Sequence, residues 1–155
     1  MNITSVCLEC KNFFLKNGKD DIYSGTYTIN NGAISPLPDS IINGQYIRIV
    51  GSKLNDRVIR YTAEDLAALK DETFNGAIWS MYVPPDFIEL CEDIAEWNAK
   101  NGTAESAAMS PFTSESFGGY SYSKGGGSAS TGGACTVWQD VFKPRLNAYR
   151  RINVL

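Results

Sequence analysis

At Pro84-Pro85-Asp86 the hydrophobic period of the chain changes, and no all-α or all-β fold accommodates both sides of that point. Before it, apolar residues alternate or come in short runs punctuated by Asn, Gly and Pro, the pattern of strands and tight turns. After it, Phe87, Leu90, Cys91, Ile94 and Trp97 recur at steps of three and four, which gives a helix one wide apolar face. Proline suits a first helical turn because its missing N–H has no partner to lose there, and Asp86 complements the helix dipole. The spacing predicts a helix over 85–100, ended by Asn101-Gly102. The expected class is therefore α+β. A helical part is built from residues 1–18 and 84–155, and a small β-rich subdomain over 19–83 is inserted into it.

Within the β-rich stretch, Ile22, Tyr23 and Thr26-Tyr27-Thr28-Ile29 read as a strand that runs into Asn30-Asn31-Gly32. Asn-Gly tolerates the positive φ a hairpin turn demands. Ile34 and Leu37 follow, with Pro36 and Pro38 keeping that strand short or at an edge. Tyr46, Arg48 and Val50 alternate with Ile47 and Ile49 to give the strongest strand signal, and Val58-Ile59-Arg60-Tyr61 is its hairpin partner. Thr62 caps a helical turn over 62–70 with Leu66 and Leu69 inward, and 76–83 forms a further strand. At the start of the chain, Ile3, Cys7, Cys10 and Phe14 predict a helix over 3–16 stopped near Gly18. At the other end, Trp138, Phe142, Arg145, Tyr149 and Ile152 step by four, three, four and three, a helical stripe over 136–152. Pro144 falls inside it, so a kink or a late start is expected.

Residue chemistry argues against an enzyme. The 155 residues include no histidine, which removes the commonest general base and the commonest transition-metal ligand together. The close acidic pairs, Asp71-Glu72 and Glu92-Asp93, have no histidine beside them, and Cys91 next to Glu92 lies in a helical apolar stripe, where a thiol serves as a small hydrophobe. Of the four cysteines, Cys7 and Cys10 form one C-x-x-C, Cys91 sits in a helical apolar stripe and Cys135 follows a glycine run. They read as buried or free thiols rather than a zinc set, and no metal or other cofactor is expected. The Gly-rich run Lys124–Gly133 lacks the Gly-Lys-Ser/Thr of a phosphate loop. A formal charge of −3 with dispersed basic residues is the wrong balance for gripping nucleic acid. No leader or membrane span is expected, since no apolar run approaches the roughly 18 residues a span needs.

The segment Pro111–Ser123 is read as neither plain loop nor plain strand. Its hydroxyls favour local caps and turns, Gly118-Gly119 permits close backbone approach, and Phe112, Phe117, Tyr120 and Tyr122 need a surface to pack on. The expectation is an extended segment lying across neighbouring helices.

A helix, then Ser114-Glu115-Ser116-Phe117-Gly118-Gly119-Tyr120-Ser121-Tyr122-Ser123, then a terminal helix carrying Leu146-Asn147-Ala148-Tyr149-Arg150-Arg151, resembles the head–tail connector (adaptor) proteins of long-tailed bacteriophages. Gly44–Ser52, Pro84-Pro85 and Trp138-Gln139 extend the likeness to phage proteins from Gram-positive hosts. The likeness is concentrated in 84–152. The β-rich unit departs from the mostly helical adaptor pattern, as does Pro144. The resemblance implies a homo-oligomeric ring of about twelve copies in the virion neck. Such a ring sits beneath the portal protein, with a downstream neck, stopper or tail protein below and DNA passing as cargo through the lumen. It assigns subunit and portal contacts to Phe112, Ser114, Glu115, Ser116, Phe117, Gly118, Gly119, Tyr120 and Tyr122, and to Arg150, Arg151, Asn153, Val154 and Leu155. Helix packing falls to Phe87, Leu90, Ile94, Trp97, Trp138, Phe142, Leu146 and Tyr149. The competing expectation is a small β-barrel whose Tyr23, Tyr27, Tyr46, Tyr61 and Trp79 stack a ligand or single-stranded bases. Asp20, Asp21, Asp56, Glu64, Asp65, Asp71 and Glu72 would oppose phosphates there.

Overall fold

A computed structural model describes residues 2–102, 114–117, 120–123 and 137–152. The elements in chain order are α1 (Ile3–Cys10), β1 (Ile22–Asn30), β2 (Ala33–Ser35), β3 (Tyr46–Val50), β4 (Arg57–Arg60), α2 (Ala63–Ala67), β5 (Glu72–Met81), α3 (Pro85–Asn101), β6 (Ser114–Phe117), β7 (Tyr120–Ser123), α4 (Trp138–Val141) and α5 (Lys143–Asn147). The chain is α+β. A five-stranded antiparallel sheet in the order β2-β1-β5-β3-β4 curls into a half-barrel.

Local chemistry sets most of these boundaries. Asn31 and Gly32 turn β1 into β2 with φ of 48° and 79°. A Cβ at Gly32 would stand 2.7 Å from the Leu66 carbonyl oxygen, so the position demands glycine twice over. The Asn2 side chain caps α1 through the Ser5 N–H, and Thr62 caps α2 through the Asp65 N–H. Pro85 opens α3, and the Gly102 N–H closes it on the Asn98 carbonyl at 2.7 Å.

Four expectations need correction. The first helix stops at Cys10 rather than Lys16, because Lys11 turns left-handed (φ 50°) and the Asn12 side chain accepts the Phe14 N–H at 2.9 Å. Leaving the helix there sends the consecutive rings Phe13 and Phe14 to different surfaces, onto Trp79 and Phe87 respectively. The strand expected over 76–83 starts at Glu72, its added residues pairing with β1 (Ile29↔Glu72, Thr28↔Thr73). The terminal helix ends at Asn147 rather than Ile152, and the kink expected from Pro144 is a break at Phe142 into α4 and α5. Residues 114–117 and 120–123 are paired as an antiparallel two-stranded ribbon, not a single extended segment.

The two faces of the sheet bury separate clusters. On one, Tyr27, Ile29, Ile47, Ile49, Phe74 and Ile78 pack with Ile34, Ile41, Ile59 and Leu69, with Leu66 of α2 against them. On the other, Val58 and Met81 are buried with Val6, Cys7 and Cys10 of α1, Phe87, Leu90, Cys91 and Ile94 of α3, and Leu146 of α5. Arg48 faces this second side. Its guanidinium lies 4.3 Å from the Phe13 ring centre and 5.6 Å from that of Trp79, and 3.5 Å from Asp56. Among the described residues its Nε and Nη1 find no hydrogen-bond partner, so the aromatic faces supply the compensation.

The β3–β4 loop is folded onto one carboxylate. Glu72 accepts bonds from Ser52 Oγ, from the Lys53 N–H at 2.9 Å, the Leu54 N–H at 3.3 Å and Asn55 Nδ2 at 3.4 Å. The Ser52 bond, the largest influence, together with the Lys53 and Leu54 N–H groups and Asn55, outweighs the opposing effect of burial and holds the Glu72 carboxyl below its ordinary value. A lowered folded-state value contributes stability above the unfolded value of about 4.3 and loses it as pH falls through the folded one. Glu72→Gln is therefore expected to lower the urea midpoint at neutral pH, with the gap to wild type closing on acidification. A gap of constant size from neutral to acid pH would refute this role.

Candidate functional site

The chain ends meet in one helical layer. The stripe Trp138, Phe142, Leu146 and Tyr149 faces the cluster formed by α1 and α3, with Leu146 fully buried and the three rings partly so. Pro144 removes a helical bond, yet the stripe survives because α4 and α5 share Phe142 as their junction. Tyr149 stands edge-on to Phe87 at 5.1 Å and to Phe14 at 6.2 Å, and Phe142 stands edge-on to Trp97 at 6.4 Å. These are the preferred aromatic geometries.

Polar bonds fix the register of that packing. Asn12 Nδ2 donates to the Tyr149 carbonyl at 2.9 Å, and the Arg151 N–H donates to the Cys10 carbonyl at 3.0 Å. The second of these satisfies a carbonyl at the end of α1, which has no partner within its own helix. Arg145 pairs with Asp93 of α3 at 2.6 Å, and Arg150 pairs with Glu9 of α1 at 2.5 Å. A segment separated from α1 by some 130 residues is thus clamped at its backbone, its rings and its charges.

All eight residues assigned to helix packing lie in this layer: Phe87, Leu90, Ile94 and Leu146 in the buried cluster, Trp138, Phe142 and Tyr149 against it, and Trp97 beside Phe142. Of the contact set, Arg150 is engaged with Glu9, while Arg151 is exposed with its backbone bound to Cys10. Ser114, Glu115, Ser116 and Phe117 pair with Ser123, Tyr122, Ser121 and Tyr120 respectively. Serines therefore occupy one set of alternating positions in the ribbon, while Glu115 and the aromatics occupy the other. Phe112, Gly118, Gly119, Asn153, Val154 and Leu155 lie outside the described residues, as does Cys135. Sequence reasoning missed Glu9, Asn12 and Asp93, whose partners are remote in the chain. Asn12, a polar residue inside the stretch read as the 3–16 helix, was the one available signal.

Cys7, Cys10 and Cys91 are buried free thiols in the helix–sheet cluster. Burial pushes the Cys10 thiol up to about 11 and that of Cys91 up to about 12, and raises Cys7 further still. Thiols in that condition are poor nucleophiles. Asp71 accepts the Asn31 N–H at 2.7 Å, so it and Glu72 both hold turns. Among the described residues no group of three or more Cys, Asp or Glu is placed to hold a metal ion, and no helix is long and apolar enough to cross a membrane. The aromatics of the binding-module expectation do not form one platform. Tyr27 is buried against Phe74 on one face of the sheet, and Trp79 packs on Phe13 at the other. An open depression of about 460 Å³ lies between Tyr23, Tyr27 and the Pro36–Ser40 loop, bridged by a 2.7 Å bond from Tyr23 to Ser40.

No family model, no curated protein and no solved structure matches the chain.

Proposed function

We propose that this chain is a non-catalytic structural virion protein, the head–tail adaptor of a long-tailed bacteriophage with a Gram-positive host. Copies assemble in the bacterial cytoplasm into a homo-oligomeric ring of about twelve subunits in the neck. The ring joins the portal protein to a downstream neck, stopper or tail protein, and DNA passes through its lumen without a membrane being involved. On this reading residues 1–18 and 84–155 are the helical adaptor core and 19–83 a β-rich insertion.

The observation that carries the reading is the seating of Leu146, Tyr149 and Arg150, residues of the resemblance, on α1 and α3. That seating makes one layer from both chain ends and the long helix, a compact wall of the kind a ring subunit needs. The acidic balance of the chain suits a lumen from which DNA must slide free.

The test is assembly with portal. Purified chain mixed with a portal ring should yield a larger ring-shaped complex by sedimentation and negative-stain microscopy, whereas a tight dimer indifferent to portal would overturn the reading. Glu115→Ala is expected to cut the yield of that complex several-fold while leaving the unfolding free energy within about 0.5 kcal/mol of wild type. Equal loss of fold and assembly would assign the ribbon to the core instead.

A further inference from the structure

The two edges of the sheet are finished differently. On β4 the Val58 N–H is taken by Thr4 Oγ1 at 2.9 Å, so α1 closes that side. On β1 the cover is partial. β1 pairs with β5 from Ile22 to Ile29, but β2 lies along its other side only from Thr28 to Asn30. The chain leaves this edge after Ser35, where β2 ends and Pro36 follows.

The β1–β2 hairpin fixes which backbone groups face that open side. A two-residue turn is flanked by a pair that exchanges both hydrogen bonds, here Asn30 and Ala33. Alternate residues Thr28, Thr26 and Ser24 therefore aim their N–H and C=O the same way. The 3.1 Å approach of the Thr28 and Thr73 hydroxyls agrees, since a pair without mutual backbone bonds stands closer across the ladder. So does the Asn31 N–H, which has the other parity and reaches Asp71 on the β5 side. Among the described residues the outward groups of Ser24 and Thr26 have no partner, and both residues are exposed. Beside them lies the depression of about 460 Å³ between Tyr23, Tyr27 and Pro36–Ser40. The Tyr27 hydroxyl donates to the Tyr23 carbonyl at 2.7 Å and the Tyr23 hydroxyl meets Ser40, so its walls are held in place. Asp39 is the single charged residue lining it.

We infer that β1 takes up an extended peptide segment of a partner protein as an added strand, antiparallel to β1 in the lane that β2 leaves at Pro36, with an apolar side chain seated in the depression. One donor and one acceptor on each of two alternate residues are the complement of extended backbone, which is why the occupant is a strand. Side chains alternate along it. Residues whose amides point at Ser24 and Thr26 turn their side chains to solvent, and those between turn theirs toward Tyr23 and Tyr27. The inference goes beyond the ring reading and stands independently of it.

The probe is the capped heptapeptide Lys-Thr-Leu-Thr-Val-Thr-Lys, with Tyr or Trp replacing Leu in two companions, titrated into the full chain and followed by NMR. Bound peptide should slow hydrogen exchange of the Ser24 and Thr26 amides about tenfold or more. N-methylation of the central Thr removes a donor aimed at β1 and should raise the dissociation constant about tenfold or more. N-methylation of the Leu or Val, whose amides point away, should change it by about twofold at most. Thr26→Pro deletes an N–H that the β5 ladder does not use, so melting should stay as in wild type while peptide binding weakens about tenfold or more. No binding by any of the three peptides, equal sensitivity to both kinds of methylation, or wild-type affinity in Thr26→Pro would overturn the inference. A dimer of the chain that Thr26→Pro dissolves would give the edge to a second copy and overturn it equally. If Thr26→Pro fails to fold, Ser40→Trp, which fills the depression from an exposed position, carries the same test, with wild-type affinity counting against the inference.

Discussion

Phe87→Ala is expected to lower the free energy of unfolding by about 3–5 kcal/mol, the range for deleting a fully buried ring that the surroundings cannot fill. Phe87 is 0% exposed and sits where three parts of the chain converge. Its ring lies 4.5 Å from that of Phe14, in the segment after α1, and 5.1 Å from that of Tyr149, after α5. Those two rings also meet each other, so the deletion opens a cavity with aromatic walls and leaves both neighbours without an edge to pack on. Natural domains are stable by only about 5–15 kcal/mol, so this one change would remove a large part of the total. Urea denaturation measures it directly. The loss should be coupled to Tyr149: in a double-mutant cycle with Tyr149→Leu the two effects should fall short of additivity by about 0.5–1.5 kcal/mol, the value of an aromatic pair. A loss under about 1 kcal/mol would mean that the layer re-packs, and that its three-way junction is not what fixes the terminal segment.

Local rules made much of this arrangement legible. Asn31-Gly32 announced its turn because Asn and Gly tolerate left-handed backbone whatever surrounds them, and Pro85-Asp86 announced a helix start for similarly local reasons. The core face of α3 followed from spacing, since a 17-residue helix keeps its period long enough to be read. What escaped was decided at a distance. The left-handed Lys11 and the Asn12 bond that end α1 at Cys10 carry no strong signal of their own in the sequence; they go with Phe13 reaching Trp79 and Phe14 reaching Phe87, contacts across more than sixty residues. The ion pairs of Arg145 and Arg150 were equally invisible, because their partners Asp93 and Glu9 belong to other helices. The β6–β7 ribbon was missed for a different reason. Two glycines between four-residue stretches are a hairpin signal, but alternation there sets serine against aromatic and acid rather than apolar against polar.

Asn55→Asp exchanges one atom pair and is expected to destabilise the β unit by about 2–4 kcal/mol at neutral pH, more than Asn55→Ala does. Asn55 is 1% exposed, and its amide binds Lys70 on both sides: Nδ2 donates to the Lys70 carbonyl and Oδ1 accepts the Lys70 N–H, each at 2.9 Å. That double bond holds the β3–β4 loop to the stretch leading into β5. Alanine leaves one donor and one acceptor unpaired. Aspartate keeps the acceptor but turns a carboxylate toward the Lys70 carbonyl and toward Glu72, whose Oε2 lies 3.4 Å from Nδ2. Burial and that like charge both disfavour its ionised form, so the folded state raises its pKa above the unfolded value. The extra destabilisation is then greatest at neutral pH and is relieved on acidification, as the protonated carboxyl recovers a donor. Urea midpoints of wild type, Asn55→Ala and Asn55→Asp compared at neutral and mildly acid pH separate the causes. The Asp variant should move toward wild type as pH falls, the Ala variant much less. If both variants keep the same distance from wild type at every pH, the amide acts by filling space and not by its two bonds to Lys70.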